Sequence, residues 1–299
     1  MAGMPQAPAV TTAQSAWLTP LGFSLPPFGP EPDPAFCYLG GSFRAALDYC
    51  QVSHERRAGP ILIEGDAGAG KTLLATRLVQ VHRLRLLVTP LAVTVEPGGS
   101  AWNVYSDLVT RLGAPRRRSA DKTLVELRHQ FTLRQRAGQG AVIILDDAHH
   151  LREESLGALE FLLSLEPSTA QVIVLGQPEL LRLLAGRLDL LRRAWRVSLS
   201  PLLPLQSRAL VDFRCQVAGR SEPLLTDDGY ERLYQLSGGN PGRTVSLCAA
   251  LLPILARARK TVGDAGAVER AARQLAAMDR RPHSRGQSRG KLVLSEAAL

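Results

Sequence analysis

Apolar positions follow two different rhythms along this chain. Between about residues 40 and 200, short apolar runs rich in β-branched residues alternate with longer stretches whose apolar residues recur at helical spacing. "FRAALDYCQVSHE" predicts a helix, "PILIEG" a buried strand, "KTLLATRLVQVHR" a helix, and "LRLLVTPLAVTV" one strand or two. "SAWNVYSDLVTRLG" and "DKTLVELRHQFTLRQRAG" predict helices, "AVIILDDA" a strand, "SLGALEFLLSLE" a helix and "AQVIVLGQ" a strand. Strands that are apolar on both faces and separated by helices predict an α/β fold, a parallel sheet covered by helices on its two sides. After "VSLSPLLPL" the strand pattern stops. Residues 205 to 278 carry only helical patterns, "SRALVDFRCQVAGR", "DDGYERLYQLSG", "RTVSLCAALLPILARARK" and "AGAVERAARQLAAM", which predicts a small helical second domain. No internal repeat interrupts this order.

The first 36 residues differ from both regimes. They hold many of the prolines ("LPPFGPEPDP"), and each proline fixes φ and lacks a donor for ladder bonding, so extended chain lying on a surface is expected there. The expected organisation is a proline-rich segment over 1–36, an α/β domain over 37–202, a small helical domain over 203–278 and a basic, disordered tail over 279–299.

Composition narrows the class. With 299 residues, 45% hydrophobic and 21% charged, the chain can bury a full core. Its four cysteines, Cys37, Cys50, Cys215 and Cys248, lie far apart without paired metal-site or disulfide spacing, so reduced thiols and a cytoplasmic setting are expected. The N-terminus lacks a basic start followed by an apolar core, and no uncharged apolar run approaches the roughly 18 residues of a membrane helix, so no direct membrane insertion is expected. A formal charge of +9 invites a polyanion partner such as DNA. Much of the surplus, however, sits in "APRRRSADK" and in the tail "DRRPHSRGQSRGK", where solvated disorder competes with that reading.

The most informative stretch is "GDAGAGKT", residues 65 to 72, placed directly after a predicted strand and directly before a predicted helix. In G-x-x-x-x-G-K-[ST] the glycines let backbone N–H groups turn inward as an anion nest, and the following helix aims its positive end at the phosphates. Gly65, Asp66, Ala67, Gly68, Ala69, Gly70, Lys71, Thr72 and Leu73 are therefore the expected ATP-binding set, with Lys71 neutralising phosphate oxygens and Thr72 reaching Mg²⁺. Four apolar residues, Val142 to Leu145, lead into Asp146 and Asp147 at the carboxyl end of a predicted buried strand, where ligands of open α/β sheets collect. Asp146 is assigned the Mg²⁺ role and Asp147 the positioning of a water for attack on the γ-phosphate. Asp147 taken alone also reads as a helix cap. His149 and His150 suggest a metal, but no cysteine or third histidine stands near them.

Taken in order, "FSLPPFGPEPDPAFCYLGGSFRAALDY", "GDAGAGKT", "VIILDDAHHL" and "VIVLGQPELLRLLA" resemble the AAA+ ATPase domain of the general secretion pathway protein A family, and more distantly the transposition ATPases. The resemblance covers roughly residues 20 to 260 and implies a P-loop NTPase fold with a helical lid, ATP and Mg²⁺ as ligands, ATP hydrolysis and a homo-oligomer. It implies that Gln177, at the tip of "QVIVLGQ", orients the attacking water. It also implies that Arg192 in "LRRAWRVSLSPL" reaches a neighbouring subunit's γ-phosphate, with Arg193 and Arg196 as competitors. "FGPEPDP" and Tyr38 resemble the segment that wraps the adenine. Two departures stand out. Asp147 replaces the usual Glu, which leaves it about one C–C bond short of its water and predicts slow hydrolysis. "GNPGR" replaces G-x-P-R, so the phosphate-sensing arginine becomes Arg243, turned by about 100° if that stretch is helical. Two functional classes follow: an oligomeric motor or assembly factor working with the protein partners of a larger machine, or a nucleotide-gated DNA-binding ATPase of a mobile-element system.

Overall fold

The computed structural model describes residues 18–279 apart from 57, 86, 167 and 168, and these residues fall into two units. The basic tail expected over 279–299 and the first part of the proline-rich segment lie outside the described residues, save Asp279.

Residues 42–200 make the α/β unit. Its strands are β1 (Ile61–Glu64), β2 (Val88–Thr94), β3 (Gly140–Asp146), β4 (Ala170–Gly176) and β5 (Trp195–Ser198), all parallel, in the order β2-β3-β4-β1-β5. Around them run α1 (Gly41–Glu55), α2 (Lys71–Arg83), α3 (Ala101–Arg111), α4 (Ala120–Arg136), α5 (Leu156–Leu163) and two short helices that the apolar pattern did not disclose, α6 (Glu179–Leu183) and α7 (Leu188–Arg193). The α/β fold read from the sequence is the fold observed.

Alternation along the strands explains why they are apolar throughout. Leu91, Ile143, Leu145, Val172 and Val174 enter a core shared with Val104 and Leu108 of α3, Leu127 of α4 and Leu159 of α5. Their neighbours Ala92, Val142, Ile144, Ile173 and Leu175 enter the opposite core with Leu47 of α1 and Leu74 and Leu78 of α2. Burying each such aliphatic side chain contributes about 2 kcal/mol. The ambiguous stretch around Pro90 is one strand, and it tolerates proline because β2 is an edge strand.

The helical unit joins residues 18–41 to residues 201–279. Its helices are α8 (Pro204–Val217), α9 (Asp227–Ser237), α10 (Pro241–Ala258) and α11 (Ala265–Asp279). The proline-rich segment departs from expectation. Instead of lying on a surface, it sends Leu18, Leu21, Phe23, Phe28 and Phe36 into the helical core beside Val211, Leu247 and Leu251. Its carbonyls, which have no ladder to join, are taken by two buried arginines. Arg214 donates to Pro27 O (2.7 Å) and Phe36 O (3.2 Å), and Arg220 donates to Leu21 O (2.9 Å). The same guanidinium groups lie over aromatic rings, Arg214 over Phe36 at 5.1 Å and Arg220 over Phe23 at 5.6 Å. The change of unit therefore falls at 41/42 and 200/201.

Candidate functional site

Because the strands are parallel, their carboxyl ends lie at one edge, and the order of the sheet decides what meets there. β4 stands between β1 and β3, with Glu64 in register with Gly176. Gln177, the residue after β4, thus stands between the 65–70 loop that leaves β1 and the aspartates that end β3.

The loop is built from the backbone outward. Gly65 N–H donates to Gly176 O at 3.2 Å, and a Cβ at Gly65 would stand 3.0 Å from both Ala69 Cβ and Leu199 Cβ, so a side chain there would force its neighbours aside. Gly70 takes φ +98, a left-handed conformation that glycine adopts at no steric cost, and its carbonyl accepts from Leu74 N as α2 begins. Asp66, Ala67 and Gly68 are exposed, while Lys71, the first residue of α2, is 6% exposed. Its Nζ donates to Gly65 O (2.6 Å) and Asp66 O (2.9 Å). Burial holds the Lys71 ammonium below the usual lysine pKa, opposed by the charges of Asp147, Asp146, Asp66 and Glu179. A desolvated cation at a helix N-terminus, beneath a loop of left-handed glycines, is an anion site in waiting. Thr72 and Leu73 complete the first turn of α2, both half-buried.

Asp146 ends β3 and is 2% exposed. Burial, then the neighbouring charge of Asp147, pushes its carboxyl up to about 6, while the nearby Thr72 hydroxyl, the Asp147 N–H and the charge of Lys71 pull it back. One oxygen, Oδ1, accepts from Asp147 N at 3.0 Å. The other, Oδ2, is buried with no hydrogen-bond partner.

Asp147 differs in every respect. Its backbone is left-handed (φ 53, ψ 35) and its side chain is 29% exposed. Aspartate tolerates this conformation far better than most side chains do. Asp147 precedes a 3₁₀ turn over Ala148–His150, yet its carboxylate makes no capping hydrogen bond. The helix-cap alternative is thereby not realised, and the carboxylate is left to face the site.

The histidines are placed otherwise than a metal would require: among the described residues no group of three His, Cys, Asp or Glu side chains is arranged to hold a metal ion. His149 Nε2 lies 2.9 Å from Gln177 Nε2, and His149 Nδ1 lies 4.0 Å from Asp147 Oδ1. His150 packs its ring 4.1 Å from that of His149 and sets Nδ1 3.1 Å from Val95 O. In the sequence His149 reads only as a possible metal ligand, and its contact with Gln177 is visible only in the fold. The signal that could have found it is its position two residues after Asp147.

The α/β unit thus brings Lys71, Thr72, Asp146, Asp147 and Gln177 together. Arg192 and Arg193 end α7 and Arg196 lies on the edge strand β5, all three exposed, so exposure does not separate them. Arg243 belongs to the helical unit. It is already helical, in the first turn of α10, and its N–H donates to the capping Asn240 Oδ1 at 3.0 Å. Tyr38, also of the helical unit, packs 6.0 Å from Phe213.

A family profile described as an AAA domain matches residues 54–184. Over 247 residues the chain is 32% identical to general secretion pathway protein A of Aeromonas hydrophila, covering 79% of this chain and 44% of that protein. The chain therefore spans less than half the length of that relative. Similar solved structures include Drosophila ORC bound to DNA (TM-score 0.62, 15% identity, 92% of this chain and 70% of that one). They also include Cdc6p from Pyrobaculum aerophilum (TM-score 0.63, 14% identity, 80% and 70%). A third is the Aeropyrum pernix ORC2 protein in its ADPNP-ADP complexes (TM-score 0.56, 14% identity, 79% and 67%). At these identities the structural likeness is one of fold. Loop, sheet order and sequence likeness together show a P-loop AAA+ fold, with an AAA domain over residues 54–184, in a chain similar to general secretion pathway protein A.

Proposed function

We propose that this protein binds Mg-ATP on the 65–73 loop, hydrolyses it, and uses the cycle as an oligomeric motor or assembly factor within a larger protein machine. The observation that carries the reading is the buried Lys71 ammonium, held by two loop carbonyls that a phosphate can replace, beside a buried Asp146 oxygen that has no partner. Supporting it are the nucleotide complexes named for the Aeropyrum pernix relative.

The residue types fit a divalent cation: an unpartnered buried carboxylate oxygen next to a hydroxyl is a hard-oxygen donor set of the kind Mg²⁺ prefers. Thr72 and Asp146 would hold it, and when bound it would supply charge neutralisation for the β and γ oxygens. Lys71 adds the side-chain cation, Asp147 accepts from the attacking water, and the Gln177 amide orients that water. Arg192 is proposed to act across a subunit interface and Arg243 to sense phosphate from the helical unit. The four cysteines are all buried and none is joined in a disulfide, which supports a reducing, cytoplasmic setting. Among the described residues no helix is long and apolar enough to cross a membrane.

Two measurements test this reading. Asp146→Asn should weaken Mg²⁺-dependent ATP binding in calorimetry, whereas Asp147→Asn should keep binding and trap the bound nucleotide; equal loss in both would refute the division of roles. Activity per subunit should rise with protein concentration and Arg192→Ala should remove that rise, while a flat dependence would point to a monomeric enzyme.

DNA is the second reading, favoured by the charge of +9 and by the DNA-bound Drosophila relative. Residues 279–299 hold five Lys or Arg against two acids, so removing them lowers +9 to +6. If the tail grips phosphates, the truncation flattens the log-log salt slope of DNA binding by about 0.9 per lost contact, and an unchanged slope argues against it.

A further inference from the structure

We infer that His149 is a positioning residue that ties the Gln177 amide to the Asp147 carboxylate, so that the group that orients the water and the group that accepts its proton move as one unit. The inference rests on the roles proposed above for Gln177 and Asp147, and it adds a residue that those roles do not include.

The argument begins with which atom can donate. Gln177 Nε2 stands 2.9 Å from His149 Nε2. An amide nitrogen has only donors, so the ring nitrogen accepts and the ring proton sits on Nδ1. That Nδ1 is buried, has no hydrogen-bond partner, and faces Asp147 Oδ1 at 4.0 Å. Turning the Gln177 amide over would reverse the ring tautomer and point a bare Nδ1 lone pair at a carboxylate, two acceptors face to face. The Asp147 charge therefore selects the Nδ1–H form, and that form requires the amide N–H₂ to face the ring. A neutral imidazole suits this arrangement, and burial together with the adjacent His150 holds His149 below the usual histidine pKa.

The neighbours keep the ring in place. His149 lies inside the 3₁₀ turn over Ala148–His150, and His150 is tied through Nδ1 to Val95 O. The separation of 4.0 Å exceeds a hydrogen bond by about one ångström, a gap that a small rotation of the Asp147 side chain closes. With one amide N–H directed to His149, Gln177 keeps its other N–H and its oxygen for ligand. A pull on the amide by phosphate or water then shifts the ring, and through it the carboxylate.

The test uses the full chain. His149→Ala should leave the Kd for Mg-ATP within about twofold and lower kcat roughly tenfold to a hundredfold, the scale of a catalytic group misplaced by an ångström. His149→Gln restores an acceptor near the Nε2 position and His149→Asn a donor near Nδ1, so each should recover only part of the loss. Adding His149→Ala to Gln177→Ala should cost no further activity, because one acts through the other. Independently of turnover, long-range ¹H–¹⁵N spectra of the nucleotide-free protein should show His149 as the Nδ1–H tautomer, and Gln177→Ala should shift it towards a mixture. An Nε2–H or protonated ring at neutral pH, additive losses in the double variant, or loss of ATP binding on His149→Ala would overturn the proposal. If the wild type binds Mg-ATP without turning it over, the hydrolysis reading fails, and the tautomer still decides whether the His149 tie exists.

Discussion

Lys71 and Arg214 are buried to the same degree, 6% and 7% exposed, and each directs its N–H groups to main-chain carbonyls. They differ in what those carbonyls belong to. Lys71 holds Gly65 and Asp66, six and five residues away on its own loop, and carboxylates gather around it. Arg214 holds Pro27 and Phe36, 187 and 178 residues away, and sits against the Phe28 and Phe36 rings. A bond to a local loop can be exchanged for a bond to phosphate with little else moving. Bonds to a distant segment cannot be given up without releasing that segment. The same chemistry makes a binding group in one unit and a staple in the other.

The contrast extends beyond two residues. Buried side-chain atoms without a hydrogen-bond partner include Asp146 Oδ2, His149 Nδ1, both ring nitrogens of His82, Gln171 Nε2 and Ser106 Oγ, all in the α/β unit. Among the described residues of the helical unit the one such atom is Arg232 Nε, and it lies 3.1 Å from Glu269 Oε1 in an ion pair. An unpartnered buried polar group costs about 1–3 kcal/mol until it finds a partner. Asp146 Oδ2 stands where a ligand would supply one, and His149 Nδ1 stands within 4.0 Å of the Asp147 carboxylate.

The largest expected effect separates the two cations directly. Lys71→Ala should lower Mg-ATP affinity by about a thousandfold, roughly 4 kcal/mol, while changing the stability of the nucleotide-free protein by less than about 1 kcal/mol. Calorimetry and urea unfolding on the same samples check both halves, and unchanged affinity would sink the nucleotide reading altogether. Arg214→Met should do the reverse. It strands two carbonyls and loses the ring contacts, so unfolding stability should fall by about 3–4 kcal/mol while the intrinsic ATP affinity of molecules that remain folded is kept. If Arg214→Met proves as stable as wild type, the staple description is wrong.

These contrasts also mark what the sequence made legible. The strands, the phosphate loop and the acidic pair were readable because each is contiguous and stands in a strand-to-helix context that apolar periodicity reveals. The N-terminal anchors were not, because Phe23, Phe28 and Phe36 are spaced by prolines and follow neither period 2 nor period 3.6. The helices α6 and α7 span five and six residues, too few for a periodic signal. The left-handed backbone of Asp147 has no signature in composition, and the pairing of His149 with Gln177 joins residues 28 apart in sequence.

A smaller effect concerns the end of α2 away from the loop. His82 lies on the same buried stripe as Leu74, Leu78 and Val79, is 0% exposed, and packs edge-on against His54 at 4.8 Å. Burial, with the charges of His54 and Arg85, lowers its pKa to about 4. The folded chain keeps His82 neutral down to about pH 4, whereas the unfolded chain protonates it near 6.5. Between those values the unfolded state takes up the extra proton, so stability falls as pH falls, by roughly 3 kcal/mol across the window. In His82→Met that part of the pH dependence should vanish in urea titrations between pH 7 and 4. An unaltered pH profile would mean that other groups set the acid sensitivity of the α/β unit.

The smallest effect lies at Asp147, where two physical terms oppose each other. Lengthening the arm in Asp147→Glu brings the carboxylate closer to the expected water, and turnover should rise, up to about tenfold for a barrier change of roughly 1.4 kcal/mol. The left-handed backbone at φ 53 acts against it, since glutamate lacks the short polar side chain that bonds locally there, and stability should drop by about 1 kcal/mol or less. Asp147→Asn, equally at ease in that conformation, should keep wild-type stability while losing turnover, and so separates backbone from chemistry. A fall in turnover for Asp147→Glu with wild-type stability would show that the pocket, not the backbone, is fitted to the shorter acid.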